Sequence, residues 1–122
     1  MSSPLAGLVY TVTFCATSDG YADVLHLTAR HAFAGDGTFT TEVVAGPEGA
    51  LLDIRSAGTA ELVAEQGESL IFRSRVEGED AVSTTVLTLH TASAGEVFST
   101  SGDEWVRGVA AIESLPAIAH EH

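Results

Sequence analysis

From Leu8 to Thr17 apolar and polar side chains alternate. Leu8, Tyr10, Val12, Phe14 and Ala16 share one face, and Thr11, Thr13, Cys15 and Thr17 share the other. Successive side chains of a strand point to opposite faces, so a period of two marks a strand with one buried side. The pattern recurs down the chain. Phe39, Thr41 and Val43 alternate with Thr38, Thr40 and Glu42; Leu52 and Ile54 with Asp53 and Arg55; Ala60, Leu62 and Ala64 with Glu61 and Glu65. Leu70, Phe72, Ser74 and Val76 alternate with Ser69, Ile71, Arg73 and Arg75. Turn-forming clusters separate the runs, among them SDG at 18–20, GDG at 35–37, GPEG at 46–49, QG at 66–67, EGED at 77–80 and SGD at 101–103. Short β-rich runs at this spacing predict an all-β, antiparallel up-and-down meander of about eight strands. Closing the meander into a small barrel removes the exposed edges that an open sheet leaves.

Two segments break the rule. In AVSTTVLTLHT, residues 81–91, apolar side chains lie on both faces, Val82 and Val86 against Leu87 and Leu89. That fits a strand whose outer side is covered, for instance as a homodimer seam. In YADVLHLTARHAFA, residues 21–34, the spacing of Tyr21, Val24, Leu25, Thr28, Ala29, Ala32 and Phe33 fits a helix as well as a strand. A strand there completes the barrel, whereas a helix makes the fold α+β. Residues 1–114 read as a single domain and 115–122, broken by Pro116, as a flexible C-terminal tail.

Composition sharpens this picture without redirecting it. A chain of 122 residues can bury one hydrophobic core, and 45% apolar residues exclude disorder. The single cysteine, Cys15, has no partner for an internal disulfide, and no Cys and His spacing resembles a zinc site. The expectation is a reduced, cytoplasmic setting with no metal and no cofactor. The N-terminal MSSPLAGLVYTVTF has neither the basic start of a signal peptide nor the run of about 20 apolar residues that spans a bilayer. Seventeen acids against five arginines, with no lysine, give a formal charge of -12. Such a field repels phosphate backbones and anionic lipid heads, so nucleic-acid and membrane partners are not expected.

Three stretches resemble the lipocalin-like, calycin-type small barrels: FAGDGTFT at 33–40, GTAELVAEQGESLIFRSRV at 58–76 and TTVLTLHTASAGEVFSTSGDEWVRG at 84–108. In such domains a strand, a DG-type turn and a GTF strand precede a GTW-like strand, an LxLxS strand and a final hairpin ending in W-x-R. The first strand departs from their hallmark, carrying Val9 or Tyr10 where a Gly-x-Trp would place its tryptophan. By architecture alone the resemblance implies binding of an apolar small molecule inside the barrel. Allene oxide cyclase-like barrels add cofactor-free cyclisation or isomerisation in a biosynthetic pathway to that range.

An eight-stranded barrel is just wide enough to be filled by side chains or to hold one small ligand. Small residues at candidate inward positions, Ala16, Ala29, Ala60, Ala64, Ser74, Thr84 and Ala111, favour a cavity; Phe14, Phe33, Phe39 and Phe72 favour a packed core. Three functions remain: a cyclase or isomerase, a non-catalytic carrier or sequestering protein, and a structural or partner-binding module. No G-x-S-x-G, phosphate loop or H-E-x-x-H is present, so Tyr10, His31 and His90 are the catalytic candidates, as polar groups able to meet inside. Phe14, Phe39, Phe72, Trp105 and Arg107 are the candidate ligand-binding residues. The resemblance implies a second use for Trp105 and Arg107, as a cation–π plug at a closed barrel end. Arg55, Arg73 and Arg75 read as an outer row of ion pairs with Glu61 and Glu65, the alternative being an inward anion clamp. Tyr21 is expected at a barrel rim, and His120 and His122 in the tail carry no expected function.

Overall fold

The computed structural model describes residues 4–18, 25–46 and 54–116. Its strands follow the alternating runs: β1 (Val9–Thr17), β2 (Thr28–Phe33), β3 (Thr38–Ala45), β4 (Ile54–Gln66), β5 (Ser69–Val76), β6 (Ser83–Leu89), β7 (Ala94–Ser101) and β8 (Glu104–Ser114). Each pairs with its neighbour in the chain, antiparallel throughout, and β8 returns to pair with β1, so the sheet closes into a barrel. The ambiguous segment 21–34 contributes strand β2, which places His31 between Tyr10 on β1 and Thr41 on β3. A helix there would have left the facing edges of β1 and β3 without backbone partners. Tyr21 lies outside the described residues.

One barrel end is plugged from within. Leu5 and Leu8, just ahead of β1, are fully buried, and each such side chain contributes about 1.5–3 kcal/mol relative to exposure. The Gly7 N–H donates to the Phe33 carbonyl at 3.1 Å and the Phe33 N–H to the Leu8 carbonyl at 2.9 Å, tying the plug to the end of β2. Leu115 packs against the same core and Pro116 is fully buried. Both residues belong to the segment from 115 expected as a flexible tail, the rest of which lies outside the described residues.

Glycines set the barrel's bore where strands press closest. A Cβ on Gly58 would meet the Arg75 carbonyl oxygen and lie 2.9 Å from Phe39 Cε1. Phe39 is the cross-strand partner of Gly58, so its ring occupies the space a side chain would have taken. On the outer wall Arg30 bonds Glu113 at 2.9 Å, Arg55 reaches Glu42 at 3.5 Å and Arg73 reaches Glu61 at 4.0 Å. Arg75 is likewise exposed, which excludes an inward clamp by this row.

Candidate functional site

Above the leucine plug the interior is filled by aromatic rings. The Phe33 ring sits 5.5 Å from Phe39, 5.3 Å edge-on from Phe72 and 6.2 Å from Tyr10. Beyond this floor, away from the plug, lies a cavity of about 210 Å³ bounded also by Val12, Phe14, Val76, Val97 and Val106. An apolar hole of about 150 Å³ accommodates benzene, so this space matches a compact ligand slightly larger than one ring. Packed core and cavity thus coexist, in different halves of the barrel.

The remaining wall is built from hydroxyls, and strand register sets them side by side. Thr41 faces Ser56, Ser74 faces Ser83 and Thr85 faces Ser99 across neighbouring strands, all six on the cavity. Thr85 Oγ1 and Ser99 Oγ lie 3.0 Å apart, and Thr41 Oγ1 lies 2.8 Å from His31 Nδ1. Among the described residues the cavity lining includes no carboxylate and no arginine.

Two titratable groups share this wall. Tyr10 and His31 are directly opposed on β1 and β2, with ring centroids 5.0 Å apart. Partial loss of hydration on burial lowers the His31 pKa from 6.5 to about 4, because it disfavours the charged imidazolium. The same burial pushes the Tyr10 phenol well above its ordinary value. Both groups are therefore neutral near pH 7. They can offer or accept hydrogen bonds there, but neither changes charge in that range.

No protein-family model, curated protein or solved structure matches the chain. The closed antiparallel barrel is consistent with a generic calycin-like architecture. Among the described residues no helix is long and apolar enough to cross a membrane, and no group of three or more His, Cys, Asp or Glu is placed to hold a metal ion.

Of the residues singled out in the sequence, Tyr10, Phe14, His31, Phe39 and Phe72 converge on the cavity. Three others do not. Trp105 and Arg107 face outward: Val106 between them meets Ser99 on the cavity wall, while Trp105 stacks on the outer-wall ring of Phe98 at 5.9 Å. At Gly108 the inner face of β8 is pressed against β1, where a Cβ would lie 2.8 Å from Val12 Cγ2. Nor do Trp105 and Arg107 plug the barrel, a task taken by Leu5 and Leu8. Trp105 instead anchors the start of β8: its N–H donates to Ser18 Oγ at 2.9 Å, and its carbonyl accepts from the Ser18 N–H at 2.9 Å. His90 follows the last residue of β6, is exposed, and sits 3.7 Å from the Glu96 carboxylate, so it does not meet His31.

Thr84 and Ala111 also point outward, opposite Arg73 and Thr11 respectively, whereas Ala60 and Ser74 point inward. The hydroxyl wall was the feature sequence reasoning passed over. Parity carried its signal: Thr41 is in step with Phe39, Thr85 with Leu87 and Ser99 with Val97.

Proposed function

We propose that the protein binds a compact, largely apolar molecule in this cavity and catalyses its cofactor-free cyclisation or isomerisation. One observation carries the reading: an aromatic floor and an opposed Tyr10–His31 pair line the same cavity of about 210 Å³. Aromatic rings take up the apolar body, and a few convergent polar groups fix its orientation. Holding a flexible molecule in one reactive conformer removes entropy from the barrier. A neutral phenol or imidazole N–H aimed at an oxygen that gains negative charge then stabilises the transition state without changing its own charge. The resemblance to small calycin-type barrels supports the same range of chemistry by analogy.

A carrier or sequestering role is the second reading, favoured by the titration of the two groups. Proton transfer is most effective when the catalytic pKa lies near the working pH, and those of Tyr10 and His31 are displaced from neutrality in opposite directions. Native mass spectrometry of the protein purified from its own host identifies the bound molecule. Tyr10→Phe and His31→Gln are then assayed with it for binding and turnover separately. Loss of turnover with binding intact supports catalysis, and parallel loss of both supports a carrier. A host-purified protein that carries and binds no small molecule refutes both.

A further inference from the structure

We infer that the cavity selects an uncharged ligand, an apolar body bearing one hydroxyl or carbonyl oxygen, and rejects the carboxylate and the ammonium ion of the same skeleton. The inference rests on the small-molecule reading above and names the class of molecule it concerns.

The cation inventory of the chain is short and fully placed. There is no lysine, and the five arginines are Arg30, Arg55, Arg73, Arg75 and Arg107. Arg30, Arg55 and Arg73 stand on the outer wall against acids, with side chains 40%, 72% and 55% exposed. Arg75 and Arg107 are also exposed, and none of the five lines the cavity. A carboxylate drawn into the barrel therefore meets no permanent positive charge. The nearest basic group, His31, already shares a hydrogen bond with Thr41 and is kept neutral by burial. An ammonium fares no better, because among the described residues no carboxylate lines the cavity either. Moving an ion from water into such a space without a partner is strongly unfavourable.

What the wall does offer matches a neutral oxygen. Each of the six serine and threonine hydroxyls has one donor and two acceptor sites, and each rotates to suit its neighbour. The pair Thr85–Ser99 consumes one proton between two oxygens, leaving a second proton and lone pairs for a guest. An alcohol or a ketone fits that complement, while the phenyl floor on the other side accepts only apolar surface. The surrounding charge of -12 adds a long-range bias against anions.

Titration calorimetry on the full chain near pH 7.5 tests this with naphthalenemethanol, naphthoate and naphthylmethylamine, one skeleton in three charge states. The expected result is binding of the alcohol, with both ions more than about tenfold weaker. A Thr85→Val, Ser99→Ala double variant removes both members of a hydroxyl pair, so it orphans neither and keeps the fold. It should weaken the alcohol by about threefold to tenfold. Binding of either ion within about tenfold of the alcohol overturns the selectivity while leaving the small-molecule reading standing. If no neutral alcohol from phenylmethanol to naphthalenemethanol binds, the cavity reading itself falls, and the selectivity with it.

Discussion

Acidification should force a charge into the barrel interior at His31. In the unfolded chain the imidazole takes a proton near its ordinary pKa of 6.5, and in the folded barrel only near about 4. Between those values the unfolded state holds more protons, so stability is complete above about pH 6.5 and is lost as the pH falls. At about 1.4 kcal/mol per pH unit, the loss from this one group approaches 2 kcal/mol between about pH 7 and pH 5. Urea unfolding across that range, followed by far-UV circular dichroism, measures it in the wild-type chain and in His31→Gln, which cannot titrate but can still bond Thr41. The exposed carboxylates Asp36 and Glu113, whose pKa values are lowered by Thr38 and Arg30 respectively, also favour the folded state less in acid. They are common to both proteins and cancel in the difference. The two curves should diverge as the pH falls, with the wild type losing more. Parallel curves would refute the placement of a neutral, desolvated imidazole inside the barrel.

Two further substitutions probe the fold around the site. Gly58→Ala drives a methyl into the Arg75 carbonyl and the Phe39 ring, and should cost about 3 kcal/mol in urea unfolding; a loss under about 1 kcal/mol would show slack between β3, β4 and β5. Trp105→Ala removes a half-buried ring from the outer wall, so it should cost about 1–2 kcal/mol rather than the 3–5 kcal/mol of a core aromatic. It should also leave ligand affinity unchanged, and a tenfold drop would place the indole in the site.

Much of the architecture was legible because hydrophobic parity and turn chemistry agree. Tyr10, Val12 and Phe14 on β1 and Leu70, Phe72 and Ser74 on β5 fall inward as their alternation predicts. The last strand shows the limit of such reasoning. Its period of two separates Trp105, Arg107, Val109 and Ala111 from Val106 and Ile112 correctly, but parity does not say which set faces in. Choosing the set with the largest ring fails because the other set, which includes Gly108 pressed against Val12 and Thr13 of β1, is the one that faces in, and that contact is made by another strand. His90 was misplaced for a simpler reason: it is in step with Thr84 and Val86, the outward set of β6, whereas Thr85 and Leu87 face in. The segment 21–34 was undecidable locally, since only pairing with β1 and β3 makes Thr28–Phe33 a strand.

The pairing of β1 with β8 also governs how the chain folds. It brings Val9 against Ser114, a contact made between opposite ends of the sequence, while every other strand pair joins sequence neighbours. Hairpins can form one by one at low loop-closure cost, but the last seam requires the whole meander to curl first. Until it zips, β1 and β8 are open edges, and Phe33, Phe39 and Phe72 have only one layer of sheet over them. Joining the two ends of the chain by a short linker and opening it instead at the Gly67–Glu68 turn would make that seam a local hairpin and leave a different pair to close last. Closure, in this fold, is a property of the ring and not of any one strand's place in the chain.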